Sequence, residues 1–186
     1  MLQRELMWLA LLFACTCLYL LAMSLVNQIG PMPSNPRVRN QANQAIRALL
    51  AQHTLHSPMS IAELGSGWGG WAQALESEVS SLSNKPEIHA FENNLIPHLY
   101  HRLIKSLAQQ TTHLYFKNFL SEPIAQHPIW ICYLCPALMK KLEEKRDQIP
   151  QPPSLISICF ALPNTRPAQV ITCSDWSRTR IYIYST

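Results

Sequence analysis

The sequence predicts an α/β domain built on a mainly parallel β-sheet, preceded by one apolar helix. Three observations lead to this prediction. Short apolar runs alternate with amphipathic stretches from residue 60 onward, a glycine cluster follows the first of these runs, and no charged residue occurs between Leu6 and Val26. Strands that alternate with helices pack into a parallel sheet that helices cover on both faces. A chain of 186 residues is long enough for one such domain and too short for two sizeable ones.

The apolar run from Leu6 to Val26 predicts a membrane anchor, because a helix needs about 20 apolar residues to cross a bilayer core. A cleaved signal peptide and a buried core helix are the two alternatives. A signal peptide has a basic n-region and a shorter apolar core, whereas here Arg4 is followed directly by Glu5. We therefore expect residues 1–30 to form one N-terminal transmembrane helix.

Basic residues around this run predict its orientation. Arg37, Arg39 and Arg47 follow the run, whereas Arg4 stands alone before it, and basic flanks are retained on the cytoplasmic side. The sequence thus predicts a single-pass membrane protein whose main domain lies on the cytoplasmic side. A proline-rich linker, residues 31–37, would separate the helix from that domain.

The domain itself, residues 38–186, divides into alternating strands and helices. Strands are predicted at 60–64, 88–91, 113–116, 129–134, 155–162, 170–173 and 180–184. Helices are predicted at 38–53, at 71–79, along Leu95, Leu99, Leu103 and Leu107, and from Pro136 onward. The last two strands leave no room for a helix between them and must pair antiparallel. The predicted fold is a Rossmann-like, doubly wound, mainly parallel seven-strand sheet with an antiparallel C-terminal strand pair.

Composition argues against nucleic acid and metal as partners. The net charge is only +4, and the basic residues near 140–146 alternate with acidic ones, which is typical of a solvated helix face. Cys132 and Cys135 have CxxC spacing, but no second ligand pair completes a zinc set. Their apolar neighbours indicate a buried strand, in which cysteine acts as a small hydrophobic residue. We expect no nucleic acid partner, no metal site and a reducing compartment.

The glycine cluster, ELGSGWGG, is the sharpest local signal. Glycines at alternate positions between a strand and a helix let a ligand approach the backbone beside the free N–H groups of the helix N-terminus. Gly65, Gly67 and Gly70 also satisfy GxGxxG, so a nicotinamide or flavin enzyme is an alternative. In either class the acid that ends the second strand, Glu92, suits ribose hydroxyls.

Two features separate these classes. A dinucleotide oxidoreductase usually adds a substrate domain, and Glu63 completes the pattern ExGxGxG. The segments ELGSGWG, FENN, FKNF, YLCPALM with LE, and FALP follow in that order. Together they resemble the class I (seven-β-strand) S-adenosylmethionine-dependent methyltransferases, specifically a small membrane-anchored family related to mitochondrial protein-lysine methyltransferases. The resemblance covers about residues 33–186 and includes the N-terminal apolar segment.

The resemblance implies S-adenosyl-L-methionine as cofactor and assigns roles to individual residues. The cofactor site would comprise Glu63, which anchors the loop, Gly65, Gly67 and Gly69 at the methionine part, Glu92 at the ribose, and Asn118 near the adenine. Tyr133 and Pro136 would face the substrate opening. The family usually carries an acid where this chain has Trp68 and often another where it has Asn118. An amide at position 118 can still hydrogen-bond the adenine.

Members of this family methylate lysines of the ATP synthase c subunit or of the adenine nucleotide translocase. The resemblance therefore implies a lysine of a membrane-associated protein as the acceptor, with the bilayer and that protein as partners. Lysine must lose its proton before transfer, and desolvation in a narrow mouth lowers its pKa. A lipid or small hydrophobic acceptor, or a degenerate, cofactor-free module that binds partners, are the alternatives.

Overall fold

The computed structural model of this protein describes residues 2–27, 35–53 and 59–185. The chain divides into two compact units, Met1–Met32 and Pro33–Thr186.

The first unit contains helix α1, Leu2–Asn27. Its side chains are described for residues 4–19, 21 and 22, and its large apolar ones are exposed: Leu6, Met7, Trp8, Leu9, Leu11, Leu12, Phe13, Leu18 and Leu21. Among the residues that the structure describes, no helix is long and apolar enough to cross a membrane. The helix expected from the apolar run is thus present, but its transmembrane character is not confirmed.

The second unit is an α/β domain around one seven-stranded sheet. Its helices are α2 (Pro36–His53), α3 (Gly70–Val79), α4 (Leu95–Leu107) and α5 (Pro136–Asp147). Its strands are β1 (Ser60–Leu64), β2 (Glu87–Glu92), β3 (His113–Phe116), β4 (Ile129–Cys132), β5 (Ser154–Ile158), β6 (Gln169–Thr172) and β7 (Arg180–Tyr184). This element order confirms the predicted alternation of strands and helices.

The strands lie in the order β3-β2-β1-β4-β5-β7-β6. The first five are parallel to one another, and β7 pairs antiparallel with both β5 and β6. The antiparallel C-terminal pair is therefore confirmed. Its cause is the short β6–β7 connection, which has no room to carry the chain back to the other end of the sheet.

Hydrophobic cores cover both faces of the sheet. On one face α2 and α3 contribute Ile46 and Leu75 to a cluster with strand residues such as Ile131. On the other face Met139 and Leu142 of α5 pack with strand residues that include Trp130. Each such side chain is almost wholly removed from water, which stabilises the fold by about 1.5–3 kcal/mol per side chain.

Helix α4 carries the predicted leucine stripe on its solvent-exposed side. Leu95, Leu99, Leu103 and Leu107 are all exposed, and the buried residues of the helix are Pro97, His98 and His101. The helical periodicity of the leucines correctly predicts a helix, but the side of that helix that is buried carries the histidines. The reason is local, because His101 packs against the backbone of the glycine loop.

Two strands are shorter than predicted, and one helix expected of a doubly wound fold is missing. β4 ends at Cys132, and β5 ends at Ile158 because Cys159 adopts a positive φ of 74°. Between β3 and β4 the structure has two 3-10 turns, Phe119–Ser121 and Ile124–Gln126, in place of a long α-helix. Phe119 and Ile124 of these turns are buried in the same core cluster as Met139 and Leu142 of α5.

Candidate active site at the carboxyl ends of the central strands

The carboxyl ends of β1, β2 and β4 meet at the centre of the sheet. The chain runs from β1 outward to β2 and β3 and then returns to place β4 on the other side of β1. Strand order reverses between β1 and β4, and in open parallel sheets such a reversal opens a crevice where ligands bind. The sequence-predicted Glu63 is the fourth residue of β1, and Gly65, Gly67 and Gly69 follow the strand into this crevice. Glu92 ends β2.

All three alternate glycines adopt left-handed backbone conformations, with φ of 77°, 53° and 82° at Gly65, Gly67 and Gly69. A side chain at Gly69 would overlap the ring of His101. A Cβ at Gly67, in contrast, would meet no described atom within 4 Å. Gly69 is therefore required by packing inside the protein, whereas Gly67 presents bare backbone to open space, where a ligand can approach it.

Glu92 secures the middle of the glycine loop. Its carboxylate accepts hydrogen bonds from the backbone N–H groups of Gly67 and Asn94, each at 2.7 Å, and the residue is 7% exposed. Burial raises the pKa of this carboxyl, while the N–H groups of Asn94, Gly67 and Asn93 lower it in part. The loop backbone is further fixed because Gly65 and Ser66 both donate to the carbonyl of Phe91.

Glu63 joins the end of β1 to the start of α3. Its side chain is 2% exposed and accepts a hydrogen bond from the backbone N–H of Ala72. Among the described residues, its second oxygen, Oε2, has no hydrogen-bond partner. Desolvation raises the pKa of Glu63 well above its usual value, and the nearby charge of Glu92 raises it further. A buried carboxylate oxygen without a partner calls for a cationic or hydrogen-bonding ligand.

Helix α4 forms a wall beside the loop that the sequence did not indicate. His101 is fully buried, its Nδ1 lies 3.3 Å from Ser66 Oγ, and burial lowers its pKa to about 4. Trp68 packs edge-on against Tyr100, with ring centroids 5.2 Å apart. Trp68, where the chain departs from the pattern of the family it resembles, therefore contacts α4 through Tyr100. Nothing in the sequence around Tyr100 and His101 indicated that these residues would pack against the glycine loop.

Asn118 lies directly after β3, next to the end of β2. Lys117 donates its backbone N–H to the carbonyl of Glu92, so this turn is fixed to the same edge as the acid. The Asn118 side-chain oxygen accepts from the backbone N–H of Leu120 and caps the first 3-10 turn. Its carbonyl oxygen is thus engaged locally, and the side chain remains exposed.

The two residues predicted to face the substrate follow β4. Pro136 is the first residue of α5 and is exposed. Tyr133 is half-buried and packs against the core, and its hydroxyl is hydrogen-bonded to the thiol of Cys159. Burial raises the pKa of both Tyr133 and Cys159, so both remain protonated at neutral pH. The structure thus brings Tyr133 beside the carboxyl end of β5 and leaves Pro136 at the surface.

The block YLCPALMKKLE ends in Glu143, whose role is structural. Its carboxylate, which is buried, accepts hydrogen bonds from the backbone and side chain of Asn164 and of Thr165, at 2.7–3.2 Å. Burial alone would raise the pKa of Glu143, but these bonds outweigh it and lower the pKa. Glu143 therefore fastens the β5–β6 loop to α5.

A second polar cluster lies at the opposite end of the sheet, where the sequence predicted no metal site. Glu87 and His89 of β2 and His113 of β3 place their ligand atoms within 4.8 Å of one another. The alternation Glu-x-His in a strand was the available signal, since residues two apart lie on the same face. The CxxC cysteines differ, because both are buried and desolvation raises the pKa of Cys132 to about 12.

No family model and no curated protein matches the sequence, but solved structures resemble the fold. An RNA methyltransferase from Salinibacter ruber in complex with S-adenosyl-L-homocysteine is 15% identical, with a TM-score of 0.62 over 82% of this chain and 92% of that one. The human methyltransferase 10 domain containing protein is 10% identical, with a TM-score of 0.63 over 83% and 84%. A hypothetical protein from Thermus thermophilus is 12% identical, with a TM-score of 0.60 over 83% and 88%.

At such low identity these comparisons show the fold and nothing finer. The match spans most of both chains in each case. In this chain the seven strands lie in the order β3-β2-β1-β4-β5-β7-β6, with β7 antiparallel to both of its neighbours. The second unit therefore has the Rossmann-like, seven-strand α/β fold of class I S-adenosylmethionine-dependent methyltransferases.

Proposed function

We propose that this protein is an S-adenosylmethionine-dependent methyltransferase. The observation that carries the proposal is the arrangement of Glu63, Gly67 and Glu92 at the point where strand order reverses. Two buried carboxylates flank a glycine whose backbone faces open space, and one carboxylate oxygen has no described partner. Neighbours of the same fold have been solved with S-adenosyl-L-homocysteine or S-adenosylmethionine bound, which supports the same cofactor here.

The residues present fit that cofactor by their chemistry. The unpartnered oxygen of Glu63 suits the ammonium group of a methionine moiety, and the exposed backbone at Gly67 leaves room for it. Glu92 lies at the end of β2, where a carboxylate suits two ribose hydroxyls. Gly65 and Gly69 shape the loop around Gly67, and Asn118 lies at the adjoining turn for the adenine.

When bound, S-adenosylmethionine supplies a methyl group on a sulfonium. The protein mainly has to align an acceptor with that methyl group and exclude water. Tyr133, which is hydrogen-bonded to Cys159 beside the crevice, can accept a hydrogen bond from an incoming amine or donate one to it. A lysine acceptor must arrive neutral, and an apolar mouth favours its neutral form. Pro136, which starts α5 at the rim, would contact the acceptor through its ring or carbonyl.

We further propose that the acceptor is a lysine of a membrane-associated protein. Helix α1 exposes its large apolar side chains, by 52–72% of their areas. In the second unit, α4 exposes four leucines, carries Arg102 and Lys105, and has no acidic residue, a combination suited to an anionic membrane surface. Arg37, Arg39 and Arg47 favour the cytoplasmic side for this unit.

Cofactor binding is tested by calorimetry on the purified full-length chain. We expect micromolar binding of S-adenosylmethionine, and we expect Glu92→Ala to weaken it by about a hundredfold, since removal of the carboxylate also releases Gly67. Glu144→Ala, which removes an exposed acid of α5, is the matched control and should bind as the wild type does. A folded wild-type chain that binds no S-adenosylmethionine would indicate a cofactor-free interaction module instead.

The acceptor is tested by incubating the full-length enzyme and labelled S-adenosylmethionine with membranes, and then separating protein, lipid and RNA. We expect label in protein, at lysine, and none with Glu92→Ala. Label in the lipid extract would favour a hydrophobic small-molecule acceptor. Label in RNA would overturn both proposals on the acceptor while leaving the methyltransferase activity intact.

Membrane attachment is tested by fractionation of cells that express the full-length chain. We expect the protein in the membrane pellet after alkaline carbonate washing, and we expect Leu12→Lys with Phe13→Lys to shift it to the supernatant. The exposed pair Lys140→Ala with Lys141→Ala provides a control for changes in net charge. Recovery of the wild type in the supernatant would contradict attachment by α1.

A further inference from the structure

The amino-terminal halves of β2 and β3 bring together three side chains with metal-ligating groups. Glu87 and His89 alternate along β2 and therefore share one face of the sheet. His113 begins β3 and stands directly opposite His89 in the parallel register. The two imidazole rings are stacked, with centroids 4.9 Å apart and an interplanar angle of 21°. Two neighbouring strands thus place three ligand side chains close together.

His89 is the fixed member of the three. Its ring lies between other rings, with centroids 4.4 Å from that of His127 and 5.9 Å from that of Tyr115. Its Nδ1 is 3.1 Å from the hydroxyl of Tyr115, and its Nε2 is 3.2 Å from Oε2 of Glu87. One nitrogen of the ring is therefore held by a phenol, while the other lies within hydrogen-bond distance of the Glu87 carboxylate.

We propose that Glu87, His89 and His113 form a binding site for a divalent transition-metal cation of the zinc type. Imidazole nitrogens with one carboxylate are a donor set that Zn²⁺ accepts, and a water molecule would complete a tetrahedron. Bonds of about 2.0–2.1 Å place tetrahedral ligand atoms roughly 3.3 Å apart. The Glu87–His89 pair already has this separation, at 3.2 Å.

The remaining adjustment falls on the side chains that are free to make it. All ligand atoms lie within 4.8 Å of one another, so closure requires movements of about 1.5 Å at most. Glu87 and His113 are exposed, whereas the half-buried His89 can stay in place. A cation would occupy the position of the proton that Nε2 and Glu87 now share. Nδ1–H of His89 would then donate to the Tyr115 hydroxyl, the outer hydrogen bond that orients most ligating histidines.

A third histidine ring, that of His127, packs against His89 with centroids 4.4 Å apart but lies outside the donor set. The ligand atoms that lie close together are those of Glu87, His89 and His113. The Nδ1 of His127 is 2.9 Å from the Ser60 hydroxyl, and its Nε2 is 3.4 Å from Nε2 of Gln126.

The position separates this site from the proposed cofactor site. Glu87 and His89 lie in the first half of β2, whereas Glu92 at its last position belongs to the crevice. β3 is the edge strand of the sheet and is only four residues long. A cation shared between β2 and β3 would fasten this short edge strand to its neighbour. The site thus predicts a structural contribution that does not depend on methyl transfer.

The test is a zinc titration of the purified full-length chain, followed by competition with a chelating dye. We expect one Zn²⁺ per chain with micromolar affinity and a higher Tm in its presence. His113→Ala, at an exposed edge position, should weaken binding by about a hundredfold, and Tyr115→Phe by about tenfold. Glu87→Gln should weaken binding, whereas the matched control Glu122→Gln, an acid of the neighbouring turn, should not.

Cobalt substitution distinguishes this site from binding by the cysteines. We expect visible Co²⁺ bands without a thiolate charge-transfer band, and their loss in His113→Ala. Zinc binding that survives in the His89→Ala, His113→Ala double variant, or a thiolate band, would overturn the assignment. So would a wild-type chain with native circular dichroism that binds zinc only nonspecifically. Cofactor binding in the same preparations is measured separately, so failure of one proposal does not obscure the other.

Discussion

The two ends of strand β2 carry acids of the same type in opposite situations. At the carboxyl end, Glu92 is buried and both of its oxygens accept backbone N–H groups, one of which comes from the glycine loop. At the amino end, the Glu87 side chain is 61% exposed and pairs with the side chain of His89. Glu92 is held in place by backbone hydrogen bonds and has little conformational freedom. The other acid is free to turn toward a ligand that arrives later.

The comparison teaches that a preformed site and an adaptable site can share one strand. A small cofactor with several polar groups gains affinity when the binding loop is already ordered, as the loop around Glu92 is. A metal ion can recruit exposed side chains, because its bonds are strong enough to fix them. Substitutions at the two ends should therefore differ in what they damage.

The largest effect is expected for Gly69→Ala at the carboxyl end. The new Cβ would overlap the buried ring of His101, and φ of 82° is unfavourable for alanine. We expect the free energy of unfolding to fall by about 3 kcal/mol, measured by urea denaturation. If the variant were as stable as the wild type, the packing of α4 against the loop would be wrong.

Gly67→Ala should affect ligand binding more than folding. No described atom lies within 4 Å of the new Cβ, so we expect only about 1 kcal/mol of destabilisation from the left-handed backbone. The methyl group would occupy the space into which the cofactor fits. Affinity for S-adenosylmethionine should fall roughly thirtyfold, or about 2 kcal/mol, by calorimetry. Equal losses of stability and affinity would remove the distinction drawn between Gly67 and Gly69.

Glu63→Gln should raise stability while it lowers affinity. The amide oxygen can still accept from Ala72, and the substitution replaces a buried carboxyl, whose ionisation is disfavoured by burial, with a neutral amide. The pKa of Glu63 is raised in the folded state. As the pH rises above 4.5, the ordinary pKa of a glutamate, the unfolded chain releases the Glu63 proton while the folded chain keeps it. Wild-type stability should therefore decrease through that pH range, and the variant should lack this decrease. At pH 7 we expect a gain of about 1 kcal/mol and about tenfold weaker cofactor binding.

The smallest effect is expected from the amino end. His113→Ala should change affinity for S-adenosylmethionine by less than about twofold, because sites that share no partner contribute independently. The measurement is the same calorimetric titration, performed with and without zinc. A dependence of cofactor affinity on zinc that disappears in this variant would show that the two ends of β2 are coupled.

The succession of strands and helices along the chain and the glycine loop after β1 could be predicted from the sequence, because both depend on local patterns. Alternating apolar runs placed all seven strands, and the short β6–β7 connection required their antiparallel pairing. The glycines follow the end of β1, as the motif predicts, because a strand-to-helix turn is a short-range feature. The roles of Glu63 and the glycines in cofactor binding stay predictions. Strand ends were less accurate, since the positive φ of Cys159 that ends β5 has no signature in an apolar run.

The orientation of α4 and the contacts around the loop could not be predicted. A leucine stripe gives the correct helical period, but burial is decided by tertiary contacts such as His101 against Gly69. The cluster of Glu87, His89 and His113 depends on the register of two strands 24 residues apart at the paired histidines, 89 and 113. Periodicity within one strand carries no information on that register.

The hydrogen bonds of Glu143 have a consequence for the order in which the protein comes apart in acid. Its lowered pKa means that the carboxylate stabilises the fold above its ordinary pKa of 4.5, and that this stabilisation is lost as the pH falls through the lower folded-state value. Protonation removes acceptors from the amides of Asn164 and Thr165. The β5–β6 loop should then open as a local unit, with faster hydrogen exchange at these two amides, before the strands separate.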